Sequence, residues 1–166
     1  MNLARQDATP SIVDYDGGEA LSFLGTLAIV RVDGKHTGGR FALIEGLLPQ
    51  EAAPELHAHG QDETFYVLEG EITVWIGEQK RRCGPGCVAF APAGTPHTFF
   101  VRSETARMLT LSTPAGIEDF IRDLSTPAKE RRLPDDDDYP TREEIEATMA
   151  RHRVDVLGAR PTADQA

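Results

Sequence analysis

Short apolar runs separated by turn residues fill the chain between Leu21 and Ser112. β-Branched and aromatic residues are frequent in these runs, and most runs have the length of one strand. No long helical pattern separates them, so the parallel crossovers of an α/β fold are not expected. The pattern predicts an all-β sandwich or small barrel built from these runs: LSFLGTLAIVRV, GGRFALIEGLL, ETFYVLEG, EITVWIG, CVAFAP, HTFFV and RMLTLS.

Some of these runs are apolar at nearly every position instead of at alternate positions. The clearest are FALI at 41–44 and CVAFA at 87–91. A strand that is apolar on both faces needs a covering layer on each side. We therefore expect a barrel with further packing on its outside.

The pattern changes after Ser112. Thr113 and Pro114 suit the N-cap and the first turn of a helix. Apolar side chains then recur at helical spacing, at Ile117, Phe120, Ile121 and Leu124. The sequence predicts a helix here that packs against the outside of the barrel.

The rest of the tail is polar, beginning with STPAKERRLPDDDDYP. Its acidic run, Asp135 to Asp138, predicts a solvated linker. A calcium loop is the alternative, but the run lacks the alternating ligands and central glycine of an EF-hand. A second helix is predicted from Thr141, with Glu144 completing a capping box. The segment VDVLG at 154–158 is a candidate edge strand.

Size and charge restrict the possible functions. A chain of 166 residues predicts a single domain (1–166), with a barrel core at about 21–112 and a helical tail at 113–166. The net charge of -10 leaves no basic stripe for binding nucleic acid or an anionic membrane. The N-terminus lacks the apolar core of a signal peptide, and no apolar run approaches the ~20 residues of a membrane span. We expect a cytoplasmic protein with a small-molecule partner.

Both cysteines of the chain lie in CGPGC, at Cys83 and Cys87. Their spacing fits neither a common zinc knuckle nor a redox C-x-x-C pair. We expect them to be two small residues on either side of a turn.

The candidate chemistry lies in LHAHGQDETFYVLEGE, which begins at Leu56. Successive side chains of a strand point to opposite faces, so His57 and His59 share one face. The turn GQD then allows the chain to reverse and bring Glu63 towards the two rings. A fourth candidate, His97, follows a tight turn at the start of another apolar run. Two imidazoles and a carboxylate are the ligands of open iron-type sites.

Two spacing patterns coincide in this chain. The first is H-x-H-x3-E-x6-G, from His57 to Gly70, and the second is G-x5-P-x-G-x2-H, from Gly86 to His97. Both are cupin signatures, and the chain resembles the cupins across about 51–101, with flanking strands that extend the resemblance to about 21–112. Two positions depart from the family pattern: Glu51 replaces a glycine, and Val101 replaces an asparagine.

The resemblance implies a small antiparallel jelly-roll β-barrel and one divalent metal held by His57, His59, Glu63 and His97. Histidine with one carboxylate favours iron, nickel, cobalt, manganese or zinc over magnesium or calcium. The order of the segments is similar to that of single-domain cupins of the bacterial quercetin 2,3-dioxygenase type. By this resemblance, the metal would anchor the deprotonated oxygens of a flavonol, and Glu63 would take the hydroxyl proton.

The walls of the substrate pocket are expected to be apolar. By strand alternation, Val101 and Phe99 share a face with His97, and Phe65 and Trp75 are further candidates for packing on a flat aromatic ligand. The implied activity is dioxygenation of a flavonol-like or other phenolic or enolic small molecule.

Two alternative functions stay open. A cupin isomerase or decarboxylase of a small polar metabolite would need cationic groups in the barrel, for which Arg40 and Arg102 are the candidates. A cupin that binds a metal and a small molecule without catalysis is the other. The resemblance also implies a homodimer. Apolar strand faces that two short helices do not cover are in keeping with that expectation.

Overall fold

The computed structural model describes residues 8–135 and 139–166 as two antiparallel β-sheets with three short α-helices. Asp136, Asp137 and Asp138 of the predicted linker lie outside the described residues. The seven-stranded sheet has, in spatial order, β11 (Ser125–Pro127), β1 (Glu19–Phe23), β2 (Thr26–Val32), β3 (Ala42–Pro49), β10 (Thr105–Thr113), β5 (Asp62–Glu69) and β8 (Val88–Ala91). The five-stranded sheet has β12 (Asp155–Gly158), β4 (Leu56–Ala58), β9 (His97–Val101), β6 (Ile72–Ile76) and β7 (Gln79–Cys83).

A hydrophobic core joins the two sheets. Alternation along β5 buries Phe65 and Val67, and alternation along β6 buries Ile72 and Val74. These side chains belong to one cluster with Leu48, Cys83, Val101, Ala106 and Met108. The arrangement confirms the predicted all-β jelly-roll class.

A second core lies on the same face of the larger sheet as the first core. Helices α2 (Ile117–Asp123) and α3 (Arg142–Arg151) contribute to it, and it covers the strands at the β1 end of the larger sheet. Its buried members are Leu21, Ala28, Val30, Ile44, Phe120, Ile121, Leu124 and Val154. The first helix was expected on the barrel exterior, and this was wrong: Ile44 under the helices and Phe65 in the main core both pair with Thr110, so they share the inward face of the sheet. A four-residue helix, α1 (Gly34–Thr37), lies between β2 and β3.

The first tail helix starts later than its sequence signal indicates. Thr113 is the last residue of β10 and pairs with Asp62, and Gly116 is the helix N-cap. The prediction of Thr113 as N-cap was wrong because pairing with β5 keeps this residue in the sheet. The capping box of the second helix is confirmed: Thr141 N donates to Glu144 Oε2 at 2.7 Å, and Glu144 N donates to Thr141 Oγ1 at 3.3 Å.

The tail also supplies strands. Strand β12 pairs with β4, which confirms the edge strand expected from VDVLG, and β11 pairs with β1. None of the helices in the described ranges combines the length and the apolar character that a membrane crossing requires.

One expectation about covered faces was wrong. Among the described strands, β8 pairs with β5 alone, and its Val88 and Phe90 side chains are 58% and 53% exposed. Both helices cover the opposite end of the sheet, so no described element packs on this face of β8. Strands β7 and β8 are thus the free edges of the two sheets on the same side of the sandwich.

Candidate metal centre

Three histidine rings converge inside the sandwich. Alternation in β4 places His57 on one face and buried Ala58 on the other, and His59 follows directly after the strand. The pairing of β4 with β9 sets His57 opposite His97. The ring centroids lie 4.5 Å apart for His57 and His97, 5.0 Å for His59 and His97, and 5.6 Å for His57 and His59.

A carboxylate from the other sheet completes the cluster. Glu63 is the second residue of β5, and one of its oxygens, Oε2, lies 3.1 Å from His97 Nε2 and 3.5 Å from His59 Nε2. Gly94 N donates to His59 O at 2.8 Å, which holds the loop after β4 against the turn before β9. The structure therefore brings together all four residues that the spacing patterns indicated.

Backbone carbonyls orient two of the three rings. His57 Nδ1 donates to Glu55 O at 2.6 Å, and His97 Nδ1 donates to Thr95 O at 2.8 Å. A carbonyl oxygen only accepts, so these bonds place a hydrogen on Nδ1 and direct Nε2 towards the centre. Metal-binding histidines are commonly held in this way, with the second nitrogen bonded to a carbonyl or a carboxylate.

Burial and mutual charge shift the acid–base properties of the cluster. Burial opposes ionisation of Glu63, but the contacts with His59 and His97 outweigh it and lower its pKa to about 2. Burial lowers the pKa of His57. Burial also acts to lower the pKa of His97, yet the hydrogen bond to Glu63 prevails and raises it. An ionised carboxylate therefore lies among the imidazoles.

The nitrogen atoms of His59 provide a test of whether a metal fits. The residue is 4% exposed, and neither Nδ1 nor Nε2 has a hydrogen-bond partner in residues 8–135 and 139–166. Buried polar atoms without partners are uncommon and costly, so they call for a ligand. One ligand atom from each of the four residues lies within 4.8 Å of the others, and the group could hold a metal ion. Three nitrogens and one oxygen suit a first-row transition metal.

Three of the four predicted pocket residues lie on the inner face beside this cluster. The ring of Phe65 lies 6.1 Å from that of His97 and 6.2 Å from that of Phe99. Val101 is fully buried in the same core. Trp75 was predicted wrongly: it pairs with Thr98 and Lys80 on the opposite face of β6, and the Lys80 ammonium lies 5.4 Å from its ring centroid.

The arginines considered for a polar substrate lie elsewhere. Arg40 Nε donates to Thr37 O at 2.8 Å, and Arg102 Nε lies 3.1 Å from Glu71 Oε1. A different cation, Arg81 on β7, borders a cavity between the sheets and was not among the predicted site residues. The β6–β7 hairpin was the sequence feature that could have indicated Arg81. In this hairpin Arg81 pairs with buried Val74 and therefore shares its inward face.

Comparison with known proteins places the central strands in a family. Residues 43–112 match the profile described as Cupin domain. The chain carries a cupin domain. It is also 30% identical over 121 residues to quercetin 2,3-dioxygenase of Bacillus subtilis (strain 168), covering 72% of this chain and 36% of that protein.

Further similarities are to part of one sequence and to the fold of solved structures. An uncharacterized protein of Streptomyces coelicolor is 34% identical over 56 residues, which cover 34% of this chain and 53% of that protein. KdgF from Halomonas sp. superposes with a TM-score of 0.59 at 20% identity, covering 66% of this chain and 99% of that one. Oxalate decarboxylase from Bacillus subtilis superposes with a TM-score of 0.54 at 20% identity, covering 65% of this chain and 31% of that one. The cupin chain spans about a third to a half of the two sequence relatives.

Proposed function

We propose that this cupin is a metal-dependent dioxygenase of a phenolic or enolic small molecule, with one divalent transition metal held by His57, His59, Glu63 and His97. The observation that carries the proposal is a buried group of three imidazoles and one carboxylate beside an aromatic wall. Its support is the similarity of 30% over 121 residues to quercetin 2,3-dioxygenase. Iron, nickel, cobalt, manganese and zinc all suit this ligand set.

The bound metal would supply Lewis-acid chemistry towards substrate oxygens and, for a redox-active ion, electrons for reaction with dioxygen. The protein supplies the position at which this happens. His57 and His97 are held by backbone carbonyls, so their Nε2 atoms need little reorganisation to bind. Within the described part of the chain, neither nitrogen of His59 has a hydrogen-bond partner, and the contact of Nε2 with Glu63 Oε2 is long, at 3.5 Å.

Glu63 is the only carboxylate in the cluster, so it is also our candidate base for the substrate hydroxyl. Its pKa of about 2 keeps it ionised and able to accept a proton. The same low value makes it a weak base, because base strength falls with the pKa of the conjugate acid. The pKa of about 2, which applies to the metal-free protein, therefore suits Glu63 to bind a metal better than to take a proton from a substrate.

The inner-face aromatic residues would orient a flat substrate. Phe65 and Phe99 lie edge to face, and Val101 extends the apolar surface. Such a wall packs against an aromatic ring and excludes water from the reacting centre. The expected asparagine at position 101 would make this wall more polar, so Val101 favours a hydrophobic substrate.

The isomerase or decarboxylase alternative loses the two cations expected for it, because neither Arg40 nor Arg102 turns into the cluster. A non-catalytic binding cupin remains an outcome of the test below.

We also propose that the chain is one domain and forms a homodimer. The exposed side chains of Tyr66, Val88 and Phe90 on the outer face of the larger sheet support the dimer.

The test combines elemental analysis with oxygen-electrode traces in the presence of quercetin. We expect about one transition metal per wild-type chain and quercetin-dependent oxygen uptake. The double variant His57→Ala/His59→Ala should fold but lose both, and His36→Ala, which changes an exposed histidine, should keep both. Metal without oxygen uptake would reject quercetin as substrate and favour the binding or isomerase alternatives. Unchanged metal in the double variant would reject the site.

A further inference from the structure

A cavity of about 270 Å³ opens between the free edges of the two sheets. It lies between β7 and β8, which is where the sandwich has no further strand to close it. Its lining combines the inner face of the β6–β7 hairpin, including Val74, Ile76 and Arg81, with the edge strand β8, including Ala89.

The inner end of this cavity adjoins the histidine cluster. Ile76, which lines the cavity, pairs directly with His97 on β9. Across the sandwich, Ala89 pairs with Phe65, whose ring lies 6.1 Å from the His97 ring. Paired residues of an antiparallel sheet share one face, so a straight path from the opening to the candidate metal centre follows the inner faces that carry these side chains.

Arg81 is the cation on this path. Its register partner, Val74, is 3% exposed in the core, so the Arg81 side chain leaves β7 on the inward face. Its two neighbours differ: Lys80 lies over the Trp75 ring on the outer face, and Arg82 lies 3.4 Å from Glu71. Among the residues in the described ranges, no carboxylate oxygen lies within 4.0 Å of the Arg81 guanidinium.

An unpaired cation here is notable because the chain carries a net charge of -10. An anion approaching such a protein is repelled on average, and a local cation at a cleft reverses this effect. Lys80, Arg81 and Arg82 form the longest uninterrupted basic run of the sequence. Of these three, Arg81 is the one that both lines the opening and lacks a charged or aromatic partner.

The spacing between Arg81 and the cluster limits the size of a ligand. Two strand spacings across the sheet and two residues along it separate Arg81 from His97. Strand spacings of about 4.8 Å and a rise of about 3.4 Å per residue give a Cα separation of roughly 12 Å. Both side chains project from the same face of the sheet, so a ligand of about this length, such as one aromatic ring with a short acidic side chain, can reach from one to the other.

We propose that the ligand of this site is a hydroxylated aromatic or enolic acid whose carboxylate binds Arg81 while its hydroxyl group points to the histidine cluster. This inference rests on the proposed function for the reacting end of the ligand, and it adds the substrate class. The ring of the acid packs between Ile76, Ala89 and Phe65. Arg81 determines specificity at the opening and does not touch the reacting atoms.

The experiment measures binding of a matched pair of probes, 4-hydroxycinnamate and its uncharged methyl ester, by isothermal titration calorimetry. The wild type, Arg81→Gln and Lys80→Gln are each titrated in zinc-loaded and metal-free form. The Lys80 variant loses the same charge from the opposite face of the same strand. An Arg–carboxylate pair at a partly open site predicts that the wild type prefers the acid about five- to tenfold.

We expect that preference to fall to about one in Arg81→Gln and to persist in Lys80→Gln. Equal binding of acid and ester by the wild type would overturn the proposal, and so would no detectable binding of the acid. A preference that survives in Arg81→Gln would overturn it as well. Zinc content, measured on the same samples, tests the metal centre separately, and the acid-to-ester ratio in the metal-free protein tests Arg81 whatever that content is.

Discussion

Replacing His59 with leucine should have opposite effects on stability with and without metal. In the metal-free protein, both ring nitrogens of His59 are buried without hydrogen-bond partners. Each such atom costs about 1–3 kcal/mol, and a water molecule entering the site recovers part of that cost. Leucine has a similar volume and no polar atoms, so the variant avoids the cost.

One contact opposes this gain. His59 Nε2 lies 3.5 Å from Glu63 Oε2, and the substitution leaves the carboxylate with His97 as its remaining partner at 3.1 Å. We therefore take the lower end of the range and expect His59→Leu to raise the free energy of unfolding by about 1 kcal/mol in the presence of a chelator.

Bound metal should make the wild type more stable than His59→Leu. A ligand that binds only the folded state, at 100 times its dissociation constant, stabilises it by about 2.7 kcal/mol. The variant should gain none of this, so in saturating metal the wild type should be the more stable by about 1.7 kcal/mol. His57→Leu is the matched control, because His57 Nδ1 already bonds to Glu55 O at 2.6 Å. It should lose the metal response without a gain in the chelator.

The assay is urea unfolding followed by circular dichroism, with the metal content measured in parallel. A His59→Leu protein that is less stable than the wild type in chelator would refute the argument from unpartnered nitrogens. A variant that keeps the full metal-induced stabilisation would refute the assignment of His59 as a ligand.

Three further outcomes are expected. Burial opposes ionisation of Glu45, but its two arginine partners outweigh this and lower its pKa, so the carboxylate stabilises the fold above its unfolded pKa near 4.5 and loses that effect as the pH falls. Glu45→Gln should cost about 1–2 kcal/mol at pH 7 and less at pH 3 in urea unfolding; an equal loss at both would contradict this. Burial and the neighbouring Cys87 raise the pKa of Cys83 to about 11, so a thiol reagent should modify Cys87 first, and mass spectrometry with Cys83 modified first would disprove it. Phe99→Ala should weaken quercetin binding about tenfold and Trp75→Ala should not, and equal losses would contradict the placement of these rings.

Much of the site followed from local pattern. The face shared by His57 and His59 is a property of any extended strand, and the turn before Glu63 needs only a few residues. The same reasoning put Phe99 and Val101 beside His97, and the structure agrees. These predictions worked because alternation relates residues within one strand.

Two positions, Trp75 and Thr113, were predicted wrongly because their placement depends on how their own strand pairs with a neighbouring strand. Trp75 faces away from the cluster because β6 pairs with β7 and β9 in a register that turns Val74 inward. Thr113 stays in the sheet because Asp62 pairs with it. The position of a residue in the chain does not by itself show which residue of another strand it pairs with.

The sequence by itself determined the strand-rich fold, the four converging side chains and the capping of the second tail helix. The tertiary structure decided which strands end each sheet, and with that where a cavity opens and why Arg81 faces it without a partner. The physical reason is that a side chain alternates within its own strand, whereas its inward or outward direction and its covering are set by residues that are distant in the chain.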